Sequence, residues 1–421
     1  MIWLLGGYMW LFVHRPFEIY PTLGAIQFER GYGIFMILVW LVSPNKGLAG
    51  NRMHAAVGCF SFALLLAWVT SPYADLPSCA LVVENYAKVA IIYVIAVTTV
   101  RDEKRLRQLV FLFLTGTGLY MLHSLWEYLH GKAEYRMSIT RMIGVDLTFS
   151  DPNAFASTLL YTLPLLIPFW REQPRRVPRW FVPGYGLCAV GCILLTGSRT
   201  GFVGLVLFLL ILVVWCAKNK MQAIALAGVF GFLAFAVLSV ALSAELQGRY
   251  LTLVDESQGP ANAAISAGGR LDGFLWGMYV WQQSPLLGFG PASFAFSTGR
   301  GGQAHNLYGQ VMSEMGLVGG VALLALVGCF LLNWRESRRL AVQTGTPETD
   351  LTLQIAQAVG VNVLLLLVMG WAGHNLFRYN WLWFAAFSAI SVHCMRARLV
   401  SQEQTEWQQD AAPCGQLGWE S

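Results

Sequence analysis

Three arginines and one histidine stand where they could work on an anionic substrate. Arg199 sits in LLTGSRTG between two long apolar runs, Arg270 in SAGGRLDG, and Arg300 in STGRGGQAHN. A guanidinium keeps its charge at any working pH, and its donor fork matches phosphate oxygens. The neighbouring glycines let backbone N–H groups approach an anion closely. Such a set suits a lipid-linked phosphate or pyrophosphate. The simpler alternative for each arginine is a snorkelling cation or a helix-end cap; it is weakest for Arg199, confined to a short hairpin between spans.

His305 opens the run AHNLYGQVMSEMGLVGG. An imidazole at the edge of an apolar segment can take a proton near neutral pH. A lone interfacial histidine is more often structural, but the nearby Arg270 and Arg300 weigh towards chemistry, and Asn306 follows it directly. Glu314, farther along the same run, must be paired or protonated. In TFSDPNAFAS, Asp151 reads first as a helix N-cap with Pro152 at the first helical position. Asp151 and Asn153 could also face a sugar or an acceptor. GHNLFRYNW brings a second imidazole, His374, with Asn375 and Arg378. An arginine at that depth needs a partner or a cavity, and His374 stands as the alternative to His305.

The elements that must carry these residues are membrane helices. Hydrophobic residues make up 56% of the 421-residue chain and charged residues only 12%. Mean hydropathy is +0.53. A soluble core cannot hide that much apolar surface, so the reading is an all-α polytopic membrane protein. About twelve apolar runs are expected to span, at 2–14, 31–43, 55–71, 80–100, 107–126, 154–170, 181–197, 201–217, 222–243, 306–332, 353–371 and 377–395. Glu84, Asn85 and Lys88 in the fourth run should face other helices. The first run lacks a basic leader and a cleavage site, and is read as a retained span.

The net charge of +5 reflects loop anchors rather than a nucleic-acid surface. Lys and Arg concentrate in alternate loops, as in Lys104, Arg105 and Arg107, then Arg171, Arg175, Arg176 and Arg179, then Arg335, Arg338 and Arg339. By the positive-inside rule both termini are cytoplasmic, and the long segment 244–304 faces outward. Within it, 271–285 reads as a short amphipathic helix at the membrane surface. The domain reading is one transmembrane body over 1–398, with 244–304 carrying active-site residues, and a polar, disordered cytoplasmic tail over 399–421. The cysteines read as small apolar fillers. No nucleotide loop, dinucleotide fingerprint, hydrolase elbow or metal-spaced set is present, so no cofactor and no metal are expected. A sugar donor used at the outer face would have to arrive lipid-linked.

The order LLTGSRTG, GGR, SPLLGFGPASF, AHNLYGQVMSEMGLVGG resembles the O-antigen ligase superfamily, which also holds O-antigen polymerases and O-oligosaccharyltransferases. The resemblance covers about 150–332, and DPNAFA at 151–156 is similar to the family's Pro-Asn segment. Its most specific part is His305-Asn306, nine residues, Gly316, two residues, Gly319. It implies a GT-C-like glycosyltransferase of the bacterial inner membrane, moving a glycan from a polyprenyl pyrophosphate to a glycan, lipid or protein acceptor without metal. By motif, Arg199 and Arg270 would hold the pyrophosphate, and His305 would position or deprotonate the acceptor hydroxyl. Arg300, Asn306, Asp151, Asn153, His374 and Arg378 would line the substrate site. A ligase, a polymerase and a protein glycosylator all remain open, as does, more remotely, a transporter of lipid-linked glycans, which would show repeats and broken helices.

Overall fold

The computed structural model describes residues 1–44, 46–136, 139–148, 150–172, 176–217, 219–236, 243–253 and 262–410. The chain begins with α1 (Ile2–His14), the short turns α2 (Pro16–Ile19) and α3 (Pro21–Ala25), and α4 (Phe28–Val42). Next come α5 (Arg52–Val69), α6 (Pro77–Thr99) and α7 (Glu103–Leu129). A hairpin of β1 (Glu134–Arg136) and β2 (Ile139–Arg141) follows, an exception to the all-helical expectation. Then come α8 (Pro152–Leu160), α9 (Leu163–Arg171), α10 (Phe181–Leu195), α11 (Arg199–Cys216) and α12 (Lys220–Ala236). The loop region holds α13 (Ala244–Leu251), α14 (Asn262–Trp281) and α15 (Phe294–Ser297). Last are α16 (Leu307–Gln343), α17 (Leu351–Gly370) and α18 (Asn380–Asp410).

Among the described residues, every apolar run read from the sequence lies mainly on helix. Among the described residues, six segments are long and apolar enough to cross a bilayer: α5, α6, α7, the α8–α9 pair, α16 and α17. The helices α1, α10 and α11 are shorter but apolar. The last six residues of the 222–243 run lie mostly outside the described residues. α1 packs along α7, where Gly116 lets the backbone of Trp10 approach. Trp383, Phe384 and Phe387 of α18 fill the core against Phe113 of α7, and Trp381 packs on Phe330 of α16. Lys88 of α6 does face another helix, 3.2 Å from Glu29 of α4.

Two expectations change. The helix read at 271–285 starts already at Asn262, and it packs on α16 rather than lying free at the surface. The polar tail is not unstructured from 399, because α18 continues to Asp410. Arg398 holds it there through ion pairs to Glu103 and to Asp350, the latter at 2.7 Å. Residues 411–421 of the tail lie outside the described residues.

α16 is interrupted at Gly316, whose φ of 61° and ψ of −157° only glycine adopts readily. The segment 285–290 repairs the break. Phe289 and Gly290 N–H donate to the carbonyls of Ser313 and Glu314 at 2.8 and 2.9 Å. Leu317 and Val318 N–H donate to Pro285 and Leu286 carbonyls at 2.8 and 3.1 Å. Side chains at Gly288 or Gly316 would collide with the facing backbone. Unpaired backbone groups inside a membrane are costly, so SPLLGFGP serves as a splint for the broken helix.

Candidate active site

The site is built around the turn that enters α11. Thr196, Gly197 and Ser198 form it, with Gly197 at φ 59°. Ser198 Oγ caps α11 by accepting Gly201 N–H at 3.0 Å, and donates to Asn153 Oδ1 at 2.8 Å. Two arginines from elsewhere in the chain clamp the turn. Arg141 Nε of β2 donates to the Thr196 carbonyl at 2.7 Å, and Arg249 Nε of α13 donates to the Gly197 carbonyl at 2.6 Å. Arg199 follows the turn directly and reaches Thr252 Oγ1 at 3.4 Å. Arg141, Arg199 and Arg249 are all buried. Arg249 is pulled down to about 10 by burial first, and then by the charges of Arg141, Arg199 and Arg270. Burial and Arg199 likewise pull Arg270 down to about 10. All four remain cationic at neutral pH, and each raises the cost of the others. A polyanion would relieve that repulsion.

Arg270 is brought here by glycine packing. Gly273 and Gly277 on α14 face Ala304 and Gly309 closely enough that a Cβ on either would strike backbone. This small-residue stripe seats α14 against the entry to α16. It thereby fixes Arg270, on the preceding turn of α14, beside the segment that carries His305.

His305 is exposed, with its backbone in the left-handed region at φ 44°. That conformation is uncommon for a residue with a side chain. The His374 ring meets it edge to face, with centroids 5.3 Å apart. His374 is held down to about 3, mainly by burial, then by His305 and Arg378, so it stays neutral. A narrow pocket lined by His305, His374, Asn153, Thr200, Asp151 and Arg378 joins the imidazoles to the arginine-clamped turn. On its far side, His374, Asp151 and Arg378 also line a larger cavity of about 460 Å³. Phe12, Phe294, Phe296 and Phe377 supply apolar walls there, with Gln303, Gln310 and Glu314 as polar groups. Glu314 is buried; Gln310 Nε2 donates to it at 3.1 Å, and the backbone N–H groups of Ala292 and Phe294 also reach it.

The expected site residues separate into three groups. Arg199, Arg270, His305, His374 and Arg378 converge. Arg378 finds its partners in the Ala154 carbonyl and Thr158 Oγ1, at 3.2 and 3.3 Å. Asp151, Asn153 and Asn306 are near but engaged in the scaffold. Asp151 caps α8 by accepting Asn153 and Ala154 N–H at 2.8 and 3.1 Å. Asn153 Oδ1 receives both Ser198 Oγ and Arg141. Asn306 Oδ1 accepts Tyr308 and Gly309 N–H, both at 3.0 Å, while its Nδ2 donates to the Trp371 carbonyl. Arg300 stands apart: it is exposed, lies over the Trp276 ring at 4.4 Å and pairs with Asp272 at 3.9 Å. Like Arg199 and Arg270 it lines neither pocket, but unlike Arg199 it is exposed. In the sequence, Arg141 and Arg249 look like ordinary loop cations. Among the described residues, no group of three potential metal ligands is present.

The fold and site define a polytopic, helical membrane protein with a buried guanidinium cluster next to an imidazole pair. Residues 184–324 match the model of the O-antigen ligase family, which supports placing the chain in the O-antigen ligase and polymerase superfamily. The matched segment includes Arg199, Arg249, Arg270, His305 and Asn306, while Arg141, Asp151, Asn153, His374 and Arg378 lie outside it. No curated protein matches the chain.

Proposed function

We propose that the protein is a membrane glycosyltransferase that transfers a glycan from a polyprenyl-pyrophosphate donor to an acceptor hydroxyl at the outer face of the bacterial inner membrane. The family match supports ligase- or polymerase-type chemistry. The observation that carries the finer reading is the convergence of Arg141, Arg199, Arg249 and Arg270 beside the His305–His374 pair. In this reading the spans number about twelve, the plan is GT-C-like and both termini are cytoplasmic, with the charge bias of the loops as support.

The chemistry follows from charge. As the bond between the sugar's anomeric carbon and the pyrophosphate breaks, negative charge grows on the departing phosphate oxygens. Arg199 and Arg270 sit to stabilise it, within a site too dry to screen them. The acceptor oxygen forms the new bond to the anomeric carbon, and its proton passes to His305, a step that general-base help accelerates by about 10² to 10⁴. Arg141 and Arg249 act by holding the turn before Arg199. No group in this scheme requires a metal.

The α16 break is a feature that transporters share. Here its hydrogen bonds are closed by the 285–290 splint, and the distinctive cations lie at the entries to α11 and α16. The deciding experiment is mass spectrometry of polyprenyl-pyrophosphate glycans in cells whose only copy carries His305→Ala. Accumulated donor with lost acceptor glycan is expected. A stalled single repeat unit identifies a polymerase and a stalled full-length chain a ligase. Unchanged donor and product would overturn the assignment.

A further inference from the structure

A second cavity, of about 570 Å³ and mixed lining, lies at the opposite ends of the helices that carry the candidate active site. α11 starts at Arg199 and ends beside it at Trp215; α16 starts next to His305 and reaches it at Trp334 and Arg338. Sixteen residues of α11 separate the two places, roughly 24 Å of helix at 1.5 Å per residue. The cavity therefore lies at the far ends of these helices, on the opposite side in the proposed topology, and is distinct from the candidate active site.

Its lining is divided. On one side Leu210 and Val214 of α11 are 56% and 80% exposed, a face suited to acyl chains. On the other stand Arg171 and Arg338. Arg171 lies over the Trp215 ring at 5.7 Å and Arg338 over the Trp334 ring at 5.4 Å. Arginine stacked on tryptophan at the edge of an apolar face is how proteins meet lipid phosphates at a membrane interface. Gln354 of α17 adds a specific demand. It is fully buried and lines the cavity, and its Nε2 donates to the Glu348 carbonyl and to Gln357 Oε1. Its Oε1 is a buried acceptor that no described residue satisfies. An acceptor left in that state costs free energy, and an occupant bearing an N–H or O–H removes the cost.

We propose that this cavity is a phospholipid headgroup site. The lipid phosphate sits between Arg171 and Arg338, an ethanolamine or glycerol group donates to Gln354 Oε1, and the acyl chains lie along Leu210 and Val214. Choline has no hydrogen to donate, so the site discriminates against it.

The test is native mass spectrometry on the full-length protein, stripped of lipid by detergent exchange. It is then titrated with phosphatidylethanolamine, phosphatidylglycerol and phosphatidylcholine of identical chains, and with glycerophosphoethanolamine alone. One ethanolamine or glycerol lipid should bind per chain at least about fivefold more tightly than the choline lipid. Arg338→Ala, a change at an exposed position, should weaken that binding about tenfold. Gln354→Met should abolish the preference while choline-lipid binding persists. Equal binding of all three lipids by the native protein overturns the proposal, as does an unaffected Arg338→Ala variant. Glycerophosphoethanolamine binding as tightly as the lipid overturns it in favour of a free phosphodiester.

Discussion

His305 and His374 meet edge to face, with ring centroids 5.3 Å apart, although 69 positions separate them in the chain. One ring is exposed, on a left-handed backbone; the other has its Nδ1 buried without a partner among the described residues. In the proposed mechanism the pair divides two tasks between like groups: His305 takes the acceptor proton, and His374 is kept neutral beside it.

This arrangement has a pH signature. Burial, His305 and Arg378 hold His374 down to about 3. In the unfolded chain it takes a proton as the pH falls through about 6.5. Between those values the unfolded state binds the extra proton, so stability falls as the medium is acidified, by at most about 1.4 kcal/mol per pH unit. His374→Gln should lose less stability than the native protein between pH 7 and pH 5, by up to about 2 kcal/mol. Thermal unfolding in detergent at the two pH values checks this, and parallel losses in both proteins would refute it.

Arg249→Lys keeps a positive charge but gives up the guanidinium bond to the Gly197 carbonyl. Losing a charge-assisted hydrogen bond should lower transfer by about 10- to 100-fold with normal protein levels. Arg300→Ala, away from both pockets, should leave transfer within about twofold. Equal losses in the two variants would mean that Arg300 belongs to the site.

Asn306 uses both ends of its amide to cap α16 and tie it to Trp371. Asn306→Ala should therefore cost about 1–2 kcal/mol of stability. Asn306→Asp, which keeps the acceptor, should recover most of it. In an assay of purified protein, both should leave the acceptor KM near the native value; a KM raised tenfold or more would show that Asn306 binds substrate.

Gly277 marks the contact of α14 with α16, where its Cα faces Gly309 backbone. Gly277→Leu should force the helices apart and carry Arg270 away from His305. Overpacking of this kind costs about 1–3 kcal/mol, yet a displacement of about 1 Å can cost a hundredfold in rate. Activity should thus fall far more than stability. A cysteine pair across the α14–α16 contact, cross-linked in the native protein and not in the variant, would report the separation directly.

Much of this was legible in the residues themselves. Apolar runs too long for barrel strands must be helices in lipid, and among the described residues each such run lies mainly on helix. The His305-Asn306 to Gly319 spacing marked the entry to α16, and DPN marked a cap. Arg141 and Arg249 were not legible, because their role depends on which carbonyls lie beside them after folding. Arg300 shares glycine-rich surroundings with Arg199, yet it lies in an exposed turn, a difference that the residues alone do not carry. Gly273 and Gly277 carried a readable small-residue spacing. The polar residues around them, however, suggested a surface helix instead of a packed one.

The splint across α16 has a consequence for how the protein is made. The residues 285–290 leave the ribosome before the helix they complete. Until both are present, neither has partners for its backbone groups at the break. The break is therefore closed only when the two meet, with Gly288 against Gly316. Completion of α16 is in this sense a tertiary event: an earlier loop supplies the hydrogen bonds that a later helix lacks at its own break.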